Sequence, residues 1–276
     1  MTARNALMRS RGELEACGVP SPSVDAPLLL CKSLGISQSE LYRTLERRLD
    51  HRERDRLREA VERRKRREPL GYILGEWGFR RLTLAVDPRV LLPRPETEVV
   101  VERCLALVVP VAEPEILDVG TGSGAIALAL ADEHRGARVL GIDTSARALA
   151  LADENARRLG LPVRFVRHDL WHGLPRGRYD LVVSNPPYVG EDELSALEPE
   201  VRDWEPREAL LDRGQTLAVV RAARDVLKPG GWLVLETHGH RAADVARAAT
   251  ENGYGPPRIT NDLAGRERVV EAQWQL

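Results

Sequence analysis

Asn185-Pro186-Pro187-Tyr188 follows the apolar run Leu181-Val182-Val183, and its residue types suggest a specific chemistry. Asp180–Ser184 reads as a buried strand that the prolines end abruptly. At its carboxyl end this leaves a polar Asn, a Pro carbonyl without a local partner, and an aromatic ring. Ligands bind at that end of the strands in an open α/β sheet. The Asn side-chain oxygen and the Pro186 carbonyl are two acceptors, and a planar –NH₂ group offers two donors. Tyr188 can pack on the planar group, and Pro187 holds the turn. The segment reads as a clamp for an –NH₂ nitrogen, against the plainer alternative of an Asn-Pro, Pro-Pro turn.

A second constellation lies upstream. Leu117-Asp118-Val119-Gly120-Thr121-Gly122-Ser123-Gly124-Ala125 joins a strand to a helix, where glycines let a ligand approach the backbone. Asp143 ends the next strand, placed for a ribose hydroxyl pair. With Ala125 in the last glycine slot, the loop also fits the dinucleotide fingerprint, so it does not choose a cofactor alone. Hydride transfer has no use for an –NH₂ clamp, whereas methyl transfer to nitrogen does. After the third strand, Asp169 is placed either to accept from an adenine amino group or to cap a turn. Leu170 or Trp171 would line the ring.

The surrounding elements must hold these residues in place. The chain to about Arg67 has helical spacing and no strand, with Leu7, Leu14 and Cys17 on one face. Val24–Leu34 reads as a helix ended by Gly35, Ser37 or Ser39 would cap the helix after it, and Arg52–Arg67 reads as a further, charged helix. Leu70–Val90 suggests a hairpin carrying Phe79, Leu82, Leu84 and Val86. Pro95-Glu96-Thr97-Glu98 opens a helix through Leu107. From Glu115 the pattern alternates strand and helix: strands Ile116–Val119, Arg138–Ile142, Val163–Arg167, Asp180–Ser184 and Trp232–Thr237, with helices Ala125–Glu133, Ala146–Leu159, Leu217–Leu227 and Arg241–Asn252. Such alternation means a parallel sheet covered on both faces. Arg258–Thr260 and Arg268–Ala272 are close enough to form an antiparallel edge hairpin.

Composition narrows the class. The 276 residues suit one large domain, or a medium one with a small one. The net charge of −1 argues against bulk-charge binding to nucleic acid. Cys17, Cys31 and Cys104 are scattered without metal spacing and read as reduced, buried residues of a cytoplasmic protein. Met1–Ser10 has no apolar core of a signal peptide, and no run reaches membrane-spanning length. The run Arg63–Arg67 reads as a solvated helix end, with an acidic partner or RNA as the alternative.

With these pieces in view, the chain resembles a known family. Gly120–Gly124 with Asp143 is similar to the S-adenosylmethionine site of class I methyltransferases, and Asn185-Pro186-Pro187-Tyr188 to the motif of amino-group methyltransferases. Pro69-Leu70-Gly71-Tyr72-Ile73-Leu74-Gly75-Glu76, Phe79 and Leu92-Pro93-Arg94-Pro95-Glu96-Thr97-Glu98 resemble the bacterial HemK/PrmC family. So do Glu205-Pro206-Arg207-Glu208-Ala209-Leu210 and Gly265-Arg266-Glu267-Arg268-Val269. The resemblance runs from about Glu68 onward. Glu236-Thr237-His238-Gly239 departs from the family's usual Glu-Ile-Gly at that position. His238 and His240 there read as a surface loop, since this chemistry needs no histidine.

The resemblance implies a class I, Rossmann-like methyltransferase sheet with an N-terminal helical bundle. It implies a substrate-recognition domain at 1–70, a hairpin linker at 71–95 and the methyltransferase domain at 96–276. The expected reaction moves a methyl group from S-adenosyl-L-methionine to the N5 amide nitrogen of the glutamine in the Gly-Gly-Gln motif of peptide chain release factors. Asn185, Pro186 and Tyr188 would be catalytic, and Pro187 would join them in binding substrate. Asp118, Gly120, Thr121, Gly122, Ser123, Gly124, Asp143, Asp169, Leu170 and Asn185 would hold the cofactor. Arg94, Glu96 and Glu98 would shape the wall or meet the release factor, unless they serve only as helix-start charges. A monomer is expected, without metal, membrane or direct nucleic-acid binding. The alternatives are glutamine methylation of a ribosomal protein and N6-methylation of a flipped adenine in nucleic acid.

Overall fold

Strand Glu115–Val119 alternates its side chains between the two faces of a sheet, and that alternation organises the larger part of the molecule. A computed structural model describes residues 1–275 and resolves two compact units. One comprises Met1–Glu76 with Leu197–Trp204; the other comprises Trp77–Ala196 and the chain from Glu205 onward.

The first unit is helical: α1 (Ala3–Ala16), α2 (Pro22–Leu34), α3 (Gln38–Thr44), α4 (His51–Lys65) and the one-turn α5 (Leu70–Leu74), joined by a later turn, α9 (Pro199–Arg202). Gly35 ends α2 in the left-handed region, and Ser37 with Glu40 forms a capping box on α3. The buried face of α1 carries Leu14, as expected, with Ala3, Ala6 and Ser10, whereas Leu7 is only half-buried. Cys17 is exposed; Cys31 and Cys104 are buried.

The basic run at the end of α4 is neither a solvated end nor a free patch. Arg64 is 5% exposed and pairs with Asp25 at 2.6 Å and with Glu200 at 2.8 Å. Arg67 adds Glu200 at 2.6 Å and Glu198 at 3.1 Å, and Arg63 holds Glu68. Arg64 and Arg67 thereby seat α9, because a cation as buried as Arg64 needs a carboxylate partner, while Lys65 pairs with Glu62 and Arg66 is exposed.

The second unit begins with a hairpin of β1 (Glu76–Phe79) and β2 (Leu82–Ala85). Leu70–Leu74, expected within this hairpin, is instead helical and ends at Gly75 with φ 74°. Arg80 turns the hairpin at φ 50°, a costly conformation for a side-chain-bearing residue. It is held there by its N–H to Glu98 Oε1 at 2.9 Å and by its guanidinium on Glu133.

Then follow α6 (Pro95–Val108), β3 (Glu115–Val119), α7 (Ala125–Glu133), β4 (Arg138–Asp143), α8 (Ala146–Leu159), β5 (Arg164–Arg167), β6 (Tyr179–Ser184), α10 (Arg207–Leu210), α11 (Gln215–Ala223), β7 (Leu227–Glu236), α12 (Ala242–Glu251), β8 (Arg258–Asn261) and β9 (Glu267–Gln273). The sheet order is β5-β4-β3-β6-β7-β9-β8, with β9 antiparallel to both neighbours. The final strands thus form the expected edge hairpin. The α11 helix ends at Ala223, earlier than expected, because Leu227 already belongs to β7.

Leu117, Val119, Val182, Leu233 and Leu235 face one core with Val219, Val220 and Ala223 of α11 and Val245 and Ala249 of α12. The alternate residues Ile116, Leu181, Val183 and Val234 are equally buried on the other face, where α6 and α7 pack. Each fully buried Leu or Val contributes about 1.5–3 kcal/mol. The chain leaves β3 for β4 on one side and reaches β6 on the other, so a crevice opens at the carboxyl ends between β3 and β6.

Candidate active site

Parallel register puts the ends of four strands level: Val119 pairs with Ile142 and Ser184, and Ser184 pairs with Leu235. The residues just beyond them, Gly120, Asp143, Asn185 and Glu236, therefore converge. The Ser184 hydroxyl donates to the Val119 carbonyl at 2.6 Å and pins the ends of β3 and β6 together.

A cavity of about 420 Å³ opens at this crevice. That lies within the roughly 300–1,000 Å³ of small-molecule and cofactor sites. Gly120, Thr121, Gly122, Ser123, Asp143, Asp169, Leu170, Asn185, Pro186 and Pro187 line it, so both constellations share one wall. A Cβ on Gly122 would meet nothing within 4 Å, yet its φ of +56° disfavours any side chain. The bare backbone thus leaves room for a ligand. Gly124 is required for a second reason: besides its φ of +81°, a Cβ there would lie 2.9 Å from Phe165. It packs α7 closely and is absent from the cavity wall.

Asp143 accepts from the Gly122 N–H at 3.0 Å and the Ser145 N–H at 2.9 Å, which aims its carboxylate across the loop. Burial raises its pKa, and the backbone donors partly offset this. A carboxylate fixed at a strand end, bare glycine backbone and a cavity of this size are the features that receive a nucleoside with a free ribose diol. S-adenosylmethionine is such a group, and the residues present fit it.

Asp118 lies elsewhere than expected. It is fully buried beneath the loop and accepts the Thr121 hydroxyl at 2.6 Å, so it braces the loop from below. Burial pushes its pKa up to about 7. Asp169 caps the turn Leu170–His172 through the Trp171 N–H, the plainer of its two readings, and also lines the cavity. Trp171 also lines the cavity and is largely exposed.

Tyr188 is not among the cavity-lining residues. Its ring lies tilted against His238, with centroids 6.0 Å apart. Burial, reinforced by the Glu236 charge, pushes its hydroxyl pKa up to about 12. His238 and His240 are exposed, in keeping with a surface loop.

Several residues that hold the site had no individual signal in the sequence. Asn155 of α8 is 1% exposed. Its Oδ1 accepts the Ala85 N–H at 2.7 Å, while its Nδ2 donates to the Ala85 carbonyl at 3.1 Å and to the Ser123 carbonyl at 3.0 Å. One side chain thereby ties the hairpin to the glycine loop.

Three distant motifs also meet. Arg94 donates to the buried Glu205 carboxylate at 2.7 and 2.6 Å, across 111 positions of chain. Burial raises the Glu205 pKa, and Arg94 pulls it back. Glu96 accepts from Arg266 at 3.0 Å. Glu98 serves the Arg80 turn. These charges, weighed earlier as helix-start electrostatics or partner contacts, therefore have partners within this unit.

Among the described residues no group of His, Cys, Asp and Glu has a metal-holding arrangement, and no helix is long and apolar enough to cross a membrane.

Two family models match the chain: the PrmC N-terminal domain over residues 5–75 and the methyltransferase small domain over residues 100–202. The release factor glutamine methyltransferase of Geobacter sulfurreducens is 40% identical, over 98% of this chain and 95% of its own length. That of Koribacter versatilis is 40% identical, over 98% of both chains. A Pyrococcus furiosus methyltransferase structure superposes with a TM-score of 0.53 at 16% identity, covering 70% of this chain and 89% of its own. A Thermus thermophilus 16S rRNA methyltransferase, solved with AdoMet and guanosine, gives a TM-score of 0.56 at 18% identity, covering 72% of this chain and 50% of its own. These two likenesses concern the fold. Identity at this level over nearly the full length places the chain in the release factor glutamine methyltransferase family.

Proposed function

We propose that this protein transfers a methyl group from S-adenosyl-L-methionine to the side-chain N5 of the glutamine in the Gly-Gly-Gln motif of peptide chain release factors. The observation that carries the reading is a single cavity that joins the glycine loop and Asp143 to Asn185 and Pro186. The cofactor, when bound, supplies a sulfonium-activated methyl group. Gly120, Thr121, Gly122 and Ser123 would carry its backbone-facing side, Asp143 the ribose hydroxyls, and Asp169 and Leu170 the adenine.

The amide nitrogen is a weak nucleophile because its lone pair is delocalised into the carbonyl. It is not protonated at neutral pH, so no base is needed to free it; orientation is the obstacle. Asn185 Oδ1 and the Pro186 carbonyl each accept one N–H and turn the open face of the nitrogen toward the methyl group. Such positioning supplies about 7–11 kcal/mol in favourable intramolecular cases. Methylation would leave the nitrogen with one surplus proton, which would pass to water while Asn185 and Pro186 hold the amide. Tyr188, outside the cavity lining with its ring against His238, would support the turn rather than stack on the amide.

The helical unit is assigned to recognition of the substrate protein. Its PrmC N-terminal match and the exposed Met8, Val24 and Tyr42 support that role. A release-factor substrate supports a cytoplasmic location.

The test is mass spectrometry of a purified release factor incubated with this protein and S-adenosylmethionine. A single methyl group on the Gly-Gly-Gln glutamine is expected. An unmodified factor, with cofactor binding demonstrated by calorimetry, would overturn the substrate assignment.

A further inference from the structure

Asn185 presents either an acceptor or a donor to the cavity, depending on which end of its amide faces inward. A clamp for N–H groups works only with the oxygen inward, so something must hold the other end. Asn185 Nδ2 lies 3.4 Å from Thr97 Oγ1. Thr97, on the first turn of α6, is 4% exposed and also lines the cavity. Behind it stands Glu236 at the end of β7, 1% exposed. Its carboxylate oxygens make no hydrogen bond of full geometry among the described residues, while the Thr97 hydroxyl lies beside them and favours the ionised form.

We infer that Thr97 and Glu236 are positioning residues that decide which end of the Asn185 amide faces the substrate; this rests on reading Asn185 as the amide clamp. An ionised carboxylate can only accept. Glu236 therefore takes the Thr97 O–H, the Thr97 oxygen takes an Asn185 N–H, and Asn185 Oδ1 is left pointing at the cavity. A protonated Glu236 reverses the chain. It donates to Thr97, the Thr97 hydrogen turns toward Asn185, and the –NH₂ end swings inward, where it opposes the N–H groups of a substrate amide.

The groups facing Glu236 are Arg268 from β9, Arg94 and Glu96 at the start of α6, and Tyr188. Arg268 and Arg94 favour the ionised carboxylate and Glu96 opposes it, but burial outweighs them and brings the pKa of Glu236 up to about 7. Since the shift is upward from the ordinary carboxylate range, the working orientation is populated above that pH and lost as pH falls through it.

The side-chain amide signals of Asn185 in ¹H–¹⁵N spectra test this without substrate, once assigned by their loss in Asn185→Ala. They should titrate with a midpoint near the about 7 of Glu236. The titration should vanish in Glu236→Gln and Thr97→Val and return in Thr97→Ser, which also controls for folding. Signals that do not titrate, or that titrate unchanged in Thr97→Val, would overturn the inference even if the enzyme methylates release factors. In the methylation assay, Thr97→Val should lower kcat by about 10–100-fold with cofactor affinity retained. Glu236→Gln should remove the acid limb of the kcat profile. An acid limb that persists there would equally overturn it. A wild-type protein inactive on release factors would instead count against the substrate assignment, and the spectra would still decide this inference.

Discussion

The glycine loop and the Asn185 segment, proposed as cofactor cradle and amide clamp, sit on the same cavity but are built in opposite ways. The cradle, Gly120–Gly124, is a contiguous loop whose shape follows from positive φ values, braced from directly below by Asp118. The proposed clamp joins the Asn185 side chain to the Pro186 carbonyl, and its Asn185 reaches Thr97 on α6 while Ser184 beneath it is tied to the end of β3. A local turn tolerates distant change because its conformation is written in its own residues. A long-range assembly fails when any one contributor is lost. Damage to the cradle should therefore appear in cofactor affinity, and damage to the clamp in turnover.

The largest effect should come from Asn185→Ala. Loss of one orienting acceptor should lower kcat by at least ~100-fold, while calorimetry shows cofactor affinity nearly unchanged. Comparable loss of both would erase the separation. Asn155→Leu comes next. It strips three hydrogen bonds and leaves the groups of Ala85 and the Ser123 carbonyl unpaired, at a cost of about 2–4 kcal/mol in urea unfolding. Its cofactor affinity should fall more than that of Asn185→Ala, because Ser123 belongs to the cradle.

Arg94→Ala leaves Glu205 buried without its cation. Discounted for the partial exposure of Arg94, the stability loss should be about 1–3 kcal/mol, and Glu205→Gln in the same background should recover part of it. Gly122→Ala should be the mildest, about 1–2 kcal/mol of backbone strain seen chiefly as weaker cofactor binding. Unchanged affinity there would show that the loop relaxes freely and is less rigid than its φ values imply.

The difference between the regions also explains what was legible beforehand. The β3-loop-α7 motif, Asp143 and the Asn-Pro-Pro-Tyr turn could be read from residue type, spacing and strand–helix alternation, all of which are local. Asn155 and Thr97 could not be singled out, since an Asn or Thr in a helix carries no mark until a strand end or a hairpin is packed against it. Tyr188 was expected to pack on the amide or shape the pocket; its ring lies against His238 and outside the cavity lining, a neighbour that no local window shows. Asp118 was expected among the cofactor contacts and lies beneath the loop. Arg63–Arg67 read as a solvated run because Glu198 and Glu200, more than 130 positions away, are invisible to any local window.

The sequence by itself determined the alternating α/β sheet, the crevice at its carboxyl ends and the chemical types gathered there, because hydrophobic periodicity and turn-forming residues act over a few positions. The tertiary structure alone decided which carboxylates are buried and shifted, which charges are spent on internal pairs, and which side chains of distant elements reach Asn185. Those properties depend on desolvation and on donor–acceptor geometry between groups brought together only by folding.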